Sequence, residues 1–192
     1  MRRLLIVIAT ALSLVSCGGG FTSAEREIIY AGEGDIMRVL SIDNEADSLF
    51  LRESSLPLSE EMLRTKEYAL LRERMLCTVK NPEAEGVGIA APQVGVLRRL
   101  AVVDVEEGYF ELINPVILQA KGEQTGWEGC LSVRGKSGVV TRPMKVKIIY
   151  FDRNGEKHFL QAKGFFARAI CHELDHLDGV LYIDKASHLQ KD

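Results

Sequence analysis

The spacing of apolar positions predicts a helix in the first half of the chain. Ser59 is suited to cap its start, and Glu60 and Glu61 would lie in its first turn. Asn81 and Pro82 end the pattern, because the residue before a proline disfavours helical geometry. The pattern therefore predicts one helix from Ser59 to Asn81. Its apolar residues recur seven positions apart and share one face: Met62/Leu63, Ala69/Leu70 and Leu76/Cys77.

The middle of the chain has the composition of β-strands. Residues 99–105, 110–119 and 145–151 are rich in branched side chains, which favour extended structure. The sequence Asp152-Arg153-Asn154-Gly155 is typical of a hairpin turn, and residues 156–162 would return from it. We therefore expect at least one antiparallel hairpin.

Helical spacing returns near the C-terminus. Phe165, Ala169, His172 and His176 fall on one side of the predicted helix, and Gly179 would cap its end. A helix, then several strands, then a second helix is the order of an α+β domain. We expect antiparallel or mixed β-sheets packed around a central C-terminal helix.

Residues 1–17 resemble a bacterial lipoprotein signal peptide. Arg2 and Arg3 precede an apolar run from Leu4 to Val15, which is shorter than the roughly 20 residues of a membrane-spanning helix. The run ends in Leu14-Val15-Ser16-Cys17, which resembles a lipobox, and Cys17 would be the lipidated residue. A mis-set start codon in front of a cytoplasmic protein is the alternative.

These features divide the chain into four parts. After the signal peptide we expect a polar, glycine-containing linker over residues 18–35, a globular domain over residues 36–186 and a polar tail over residues 187–192. The chain is 46% hydrophobic and 27% charged, which supports a folded core. Its net charge of −3 gives no sign of the basic surface that a nucleic-acid partner requires, so no such partner is expected.

The sequence His172-Glu173-Leu174-Asp175-His176 carries the strongest chemical signal. On a helix, residues i and i+4 lie one above the other, so both imidazoles can bind one metal ion. Glu173 is offset by about 100° around the axis, within reach of a water at that ion. A solvated, charged helix face is the alternative, because Asp178 also lies nearby.

A catalytic metal site usually has a third protein ligand. The metzincin protease pattern would place a histidine where this chain has Tyr182, and His158 and His188 lack supporting context. Cys130, within Glu128-Gly129-Cys130-Leu131-Ser132, offers a thiolate that suits Zn²⁺ or Fe²⁺. A lone cysteine is more often a buried small hydrophobe, so the assignment depends on the histidines.

A third segment, Gly86-Val87-Gly88-Ile89-Ala90-Ala91-Pro92-Gln93, is rich in small residues. Taken alone it is typical of a tight turn. It would also let another chain lie close along its backbone, with Gln93 as an amide donor. Its chemical meaning depends on the other two motifs.

Together, and in this order, the three motifs resemble those of peptide deformylases, which carry Gly-x-Gly-x-Ala-Ala-x-Gln, Glu-Gly-Cys-x-Ser and His-Glu-x-x-His. The resemblance extends from about Met37 to Asp184. It implies an α+β fold and removal of the formyl group from N-formyl-methionyl peptides or nascent polypeptides. It also implies one divalent metal ion, with Fe²⁺ expected and Zn²⁺ or another ion as the alternative. One departure is Cys171, where the family commonly has Gln, and we expect it to affect packing only.

The resemblance also implies a role for each site residue. Cys130, His172 and His176 would bind the metal, and Glu173 would be the general acid and base. Gln93 and the backbone N–H of Leu131 would stabilise the oxyanion. Gly88 and Gly129 would bind the substrate's main chain. Val87 and Phe165 would line an apolar pocket for the substrate, with plain core as the alternative. Glu128 and Arg142 would form a structural ion pair near the site, with a solvated pair as the alternative.

Two other functions are compatible with the sequence. A lipid-anchored metallopeptidase would share the helix motif but need a different third ligand, and a binding lipoprotein would keep the fold without catalysis. Lipidation of Cys17 would place the protein outside the inner membrane, with membrane contact only through that anchor. The cytoplasm, where peptide deformylases ordinarily act, is the alternative location.

Overall fold

The computed structural model describes residues 20–32, 35–82 and 86–191. The predicted signal peptide and Cys17 lie outside these ranges, so that prediction stays open. Within the described part of the chain, no helix combines the length and the apolar character needed to cross a membrane.

A six-stranded antiparallel sheet is the framework of the domain. Its strands are β1 (Gly88–Ala90), β2 (Leu100–Val105), β3 (Gly108–Cys130), β4 (Val133–Phe151), β5 (Lys157–Lys163) and β6 (Ala186–Lys191). Strands β1 to β5 are neighbours in chain order, and β6 also pairs with β4. Residues 145–151 of β4 pair with β5 and residues 136–140 pair with β6, so β5 and β6 lie end to end along one edge of β4.

Helices cover the sheet on both faces. They are α1 (Ser23–Tyr30), α2 (Glu45–Phe50), α3 (Glu60–Leu63), α4 (Lys66–Lys80) and α5 (Gly164–Leu177), with 3₁₀ turns at Ala91–Val94 and Tyr182–Asp184. Val102 of β2 packs in one core with α1 and α4, whereas its neighbours Ala101 and Val103 pack in a second core with α5. This alternation follows from the two-residue period of a strand. The predicted α+β class, with an antiparallel sheet and a C-terminal helix, is confirmed.

The single helix predicted from Ser59 to Asn81 is divided in two. The Thr65 hydroxyl accepts a hydrogen bond from the Tyr68 N–H at 3.2 Å and so caps a new helix, α4. Leu71, Met75 and Val79 of α4 are buried, whereas Leu70 and Leu76 of the predicted face are only partly buried against the same core and Ala69 is exposed. Leu71, Met75 and Val79 are four apart, as expected for the face of a short helix packed on a sheet.

The described residues 20–32 of the predicted linker over 18–35 include helix α1 and contribute to the core. Thr22 and Glu25 form a capping box at its start, and Phe21 and Ile29 are buried against α4 and the sheet. Glu25 is also buried and accepts two hydrogen bonds from Arg98, at 2.6 and 2.8 Å. Polar composition was a poor guide to this segment, because the one buried charged residue among residues 20–32, Glu25, is paired inside the fold.

The predicted strands are present, and two of them are longer than predicted. Strand β3 continues to Cys130 through residues 116–127, most of which are exposed on both faces and lack strand alternation. The predicted turn at Asp152–Gly155 joins β4 to β5, with a hydrogen bond from the Gly155 N–H to the Asp152 carbonyl at 2.9 Å. Residues 187–191 of the polar tail predicted over 187–192 are instead part of β6, because backbone pairing with β4 needs no apolar side chains.

Replacing Arg98 by Met should lower the free energy of unfolding by about 3–5 kcal/mol, since it leaves the Glu25 carboxylate buried without its partner. Burial alone would raise the pKa of Glu25, but the hydrogen bonds from Arg98 outweigh it and the pKa is lowered. The stabilisation is therefore present above the ordinary pKa of 4.5 and is lost as the pH falls through the lowered value.

Urea unfolding at about pH 7 and pH 3.5 measures this effect. The double variant Glu25→Leu/Arg98→Met is the control and should recover most of the loss, because it removes both charges together. If the single variant Arg98→Met has the same free energy of unfolding as the wild-type chain at pH 7, the predicted role of the Glu25–Arg98 pair is wrong.

Candidate metal centre

Helix α5 brings three of the predicted site residues together. His172, Glu173 and His176 lie on its last turns, and the two imidazole rings are 5.0 Å apart between centroids. The helix ends at Leu177, and Gly179 follows two residues later, with a left-handed φ of +72° and an N–H that donates to the His176 carbonyl at 3.2 Å. A Cβ there would lie 2.3 Å from the Arg52 carbonyl oxygen, so glycine is required. The predicted cap is confirmed, and it fixes the helix end just beyond His176.

Cys130 supplies the third donor from the end of β3. Its Sγ is 3.3 Å from Nε2 of His176, and the ligand atoms of Cys130, His172 and His176 all lie within 4.8 Å of one another. Ligands bound tetrahedrally at about 2.0–2.3 Å would be about 3.6 Å apart. One sulfur and two nitrogens at this spacing fit a divalent cation and leave a fourth position open. The structure therefore assembles the predicted ligands into a candidate metal site.

Glu128 holds His172 in place. Its Oε2 is 3.0 Å from Nδ1 of His172, so that nitrogen is the donor and Nε2 is left for a metal. Arg142 donates two hydrogen bonds to the carboxylate, each at 2.9 Å, and Arg168 donates a third at 2.7 Å. Burial would raise the pKa of Glu128, but the hydrogen bonds from Arg142 and His172 hold it well below its ordinary value. The Glu128–Arg142 pair is thus buried and ionised, and the solvated alternative is wrong.

The two imidazoles differ in their affinity for a proton. Burial lowers the pKa of His176 well below its ordinary value, so its ring is in the neutral form that binds metals. Burial would also lower the pKa of His172, but hydrogen bonds with Cys130 and Glu128 outweigh it and raise the pKa to about 10. Metal ions and protons compete for such nitrogen and sulfur atoms, so binding of a cation would release this proton.

Glu173 is buried beside these ligands, against the main chain of β1. Burial raises the pKa of its carboxyl to about 7, and its Oε2 has no hydrogen-bond partner among the described residues. A Cβ added at Gly88 would lie 2.5 Å from Oε1 of Glu173. Gly88 therefore makes room for this carboxyl group, a task that the sequence did not indicate. Its predicted contact with a substrate's main chain stays a prediction.

Gln93 is held in a fixed orientation by hydrogen bonds from both ends of its amide. Its Oε1 accepts from the Ala90 N–H at 2.8 Å, and its Nε2 lies 3.3 Å from the Ser132 hydroxyl oxygen and 3.5 Å from Cys130 Sγ. The side chain is buried, so neither end exchanges freely with water. The amide donor is thus directed at the same sulfur that faces the histidines.

A cleft of ≈1090 Å³ opens beside these groups. Val87 and Phe165 line it and are 38% and 60% exposed, so they are not plain core. Gly129 and Leu131 line it as well, and a Cβ added at Gly129 would meet no atom within 4 Å. The predicted pocket residues therefore share one cleft with the candidate metal site.

Sequence reasoning missed three residues that support the site. Ser132 hydrogen-bonds Gln93, Asp175 accepts hydrogen bonds from Arg142 and Lys185, and Arg168 binds Glu128. Arg168 was open to prediction, because it lies four residues before His172 on the same helix face. Cys171 packs in the core between α5 and the sheet, where burial raises the pKa of its thiol to about 11, as expected for a packing role.

Comparison with known proteins agrees with this arrangement. Residues 36–192 match the sequence model of the polypeptide deformylase family. The chain is 59% identical over 102 residues to the peptide deformylase of Thermoanaerobacter pseudethanolicus, an alignment that covers 53% of this chain and 64% of that protein. It is 46% identical over 142 residues to that of Desulfitobacterium hafniense, covering 74% of this chain and 91% of that protein.

Solved structures agree as well. A peptide deformylase from Synechococcus elongatus in complex with actinonin superposes with a TM-score of 0.72 at 35% identity, over 82% of each chain. The peptide deformylase from Thermotoga maritima gives a TM-score of 0.72 at 33% identity, over 80% of this chain and 99% of that one. With its motifs, its candidate metal site and its fold in agreement, the chain belongs to the polypeptide deformylase family.

Proposed function

We propose that this chain is a metal-dependent hydrolase that removes the formyl group from N-formylmethionine at the N-terminus of polypeptides and releases formate. The observation that carries the proposal is the cluster of Cys130 Sγ and two imidazoles within 4.8 Å, with Glu173 buried beside it. Family membership supports the same reaction and substrate. The cleft at the cluster gives a peptide room to lie across it.

Cys130, His172 and His176 would hold one divalent ion, with Fe²⁺ as the expected ion and Zn²⁺ as the alternative. Such an ion supplies Lewis acidity, polarising a carbonyl oxygen and lowering the pKa of a coordinated water toward about 7. His172 keeps its orientation during this chemistry because Glu128 accepts from its Nδ1.

Glu173 would carry the proton. Its pKa of about 7 suits both acceptance of a proton from the attacking water and later donation to the leaving amine. Because the carboxyl group is buried against Gly88, it reaches the reacting atoms without prior loss of a water shell. Transfer to the amine nitrogen completes breakage of the C–N bond and frees formate.

The negative charge that develops on the formyl oxygen needs hydrogen-bond donors. Gln93 Nε2 and the backbone N–H of Leu131 are the proposed donors, and Gln93 is already held near Cys130 by Ala90 and Ser132. Losing one such donor typically costs about 10²–10³ in rate. Val87, Phe165 and Gly129 would contact the substrate along the same cleft.

Glu173→Gln should retain the metal while formate release from a formyl-Met dipeptide falls at least about 10³-fold, because the amide cannot carry the proton. Formate is measured enzymatically and metal content by elemental analysis of the same sample. Parallel measurement of peptide-bond cleavage tests the metallopeptidase alternative. Near-normal formate release by Glu173→Gln would show that another group moves the proton.

Gly88→Ala should lower kcat about 10²-fold, because its Cβ would displace the Glu173 carboxyl and small misplacements of a reacting group have effects of this size. Gly129→Ala is the matched control: it adds the same methyl group in the same cleft, where it meets no atom. We expect Gly129→Ala to keep its kcat, with any loss confined to KM. Equal values of kcat for the two variants would contradict the packing role of Gly88.

We also propose that Cys17 is lipidated and that the enzyme is anchored outside the inner membrane, where it would act on exported or scavenged formyl peptides. The charged start, the apolar run and the lipobox of residues 1–17 support this location. Radiolabelled fatty acid should appear on the wild-type chain and not on Cys17→Ala. Absence of label from both would return the enzyme to the cytoplasm.

A further inference from the structure

Five lysines lie on one face of the sheet at its β3–β4–β5 side. We call Lys121, Lys145, Lys147, Lys157 and Lys163 the lysine face. Lys145 is paired with both Lys121 and Lys163 across neighbouring strands, and the alternate residues of β4 and β5 place Lys147 and Lys157 on the same side. The residues between them, including Val146, Ile148 and Ala162, pack with α5. The lysine face is therefore directed away from α5 and its metal ligands.

These charges are available for a partner. Four of the five side chains are exposed and Lys147 is half-buried. Among the described residues, none of the five forms a salt bridge within 4.0 Å. The exposed Glu123 lies on the same side of the sheet, at the end of the lysine face next to Lys121. A chain with a net charge of −3 thus concentrates unpaired positive charge on one surface.

Apolar groups stand among the lysines. Phe159 is 61% exposed, Val116 is 52% exposed, and the Lys147 ammonium lies 5.3 Å from the centre of the Phe159 ring. Exposed aromatic and aliphatic groups surrounded by lysines are typical of surfaces that bind at the boundary of headgroups and acyl chains. Anionic headgroups attract each lysine, and the apolar side chains gain from leaving water.

We propose that the lysine face docks the domain on an anionic lipid bilayer. This inference rests on the proposed lipidation of Cys17, which would keep the domain beside a membrane. The three residues from Cys17 to Gly20 can span no more than about 11 Å, so a weak contact would act at high effective concentration. A nucleic acid would also match the charge of the lysine face, but the proposed lipid anchor would keep a bilayer, and not a nucleic acid, within reach of it.

The start of the described chain agrees with this orientation. Gly20 lies next to α1, which packs with α4 in the core formed on one side of the sheet. Phe151 packs against that same core, and Lys147 and Lys145 lie four and six residues before it on the same face of β4. The start of the described chain and the lysine face therefore lie on one side of the sheet, opposite α5.

Vesicle co-sedimentation tests the proposal with the full chain carrying Cys17→Ala, so that no attached lipid contributes. Every variant keeps the apolar run of residues 4–15, and its contribution is measured as partitioning onto vesicles of phosphatidylcholine alone. Lys121→Gln/Lys145→Gln/Lys147→Gln should lower partitioning onto vesicles of phosphatidylcholine with about 30% phosphatidylglycerol at least about 10-fold, given the contribution of each lysine near such a surface. The corresponding triple substitution to Arg should keep wild-type partitioning. Formate release should be unchanged in all of them, because these residues lie away from α5.

The matched control is Lys66→Gln/Lys80→Gln/Lys191→Gln, which removes the same charge from exposed positions elsewhere. It should partition like the parent chain, and equal losses in both triples would overturn the proposal. Equal binding of the parent to neutral and anionic vesicles would overturn it as well. The proposal would also be overturned if the parent chain bound a structured RNA and the lysine-face triple variant lost that binding but still bound vesicles. Absence of formate release from every variant would count against the proposed reaction and leave the docking result standing.

Discussion

Glu128 is the contact on which the candidate site depends, because it joins the hairpin to the helix. The carboxylate comes from β3, two residues before Cys130, and it binds Arg142 of β4 and both Arg168 and His172 of α5. A buried carboxylate is costly unless it is fully paired, and here three cationic or N–H partners surround it. The same interaction therefore neutralises the interior and sets the distance between the thiolate and the imidazoles.

This arrangement explains how the Cys130 sulfur at the end of β3 and the side chains of helix α5 can form one rigid site. Cys130 lies beside the turn that joins two long strands, a position where side chains usually vary in orientation. On one side of Cys130, Glu128 is fixed by its hydrogen bonds with Arg142, Arg168 and His172. On the other side, Gln93 contacts both Cys130 and Ser132. Removing water from this region strengthens each of these contacts and raises the pKa of Glu173 toward neutrality. Order at the site and the proton affinity of Glu173 thus have the same physical origin.

Much of the site could be predicted from the sequence, because its chemistry lies in short motifs. The spacing of His172 and His176 on a helix is a local property, and so is the glycine cap at Gly179. The task of Gly88 was not accessible, since it depends on the distance between two segments that are 85 positions apart, at Gly88 and Glu173. The role of Arg168, by contrast, was accessible, because it lies four residues before His172 on the same helix face.

The fold was predicted less well where polar residues take part in structure. Helix α1 reads as a linker because its charges suggest solvent, yet Glu25 is satisfied by Arg98 across 73 positions of sequence. Strand β6 reads as a tail, yet its backbone completes the edge of β4. Thr65 divides the predicted helix with one side-chain hydrogen bond, which no hydrophobic period reveals. In each case a specific hydrogen bond or ion pair decided the structure against the average polarity of the segment.

The sheet separates two kinds of surface that would interfere if they were mixed. Alternate residues of β4 and β5 contribute apolar side chains to the core under α5 and lysines to the opposite face. Unpaired positive charge close to the metal ligands would disfavour a bound cation and would lower the pKa of Glu173, whereas Arg142 and Arg168 are paired with Glu128. At an ionic strength of about 0.15 M, charges more than about 8 Å apart in solvent are largely screened from one another. A strand period of two residues is therefore enough to place the lysine face, with its proposed lipid contact, on the opposite side of the sheet from the candidate cation site.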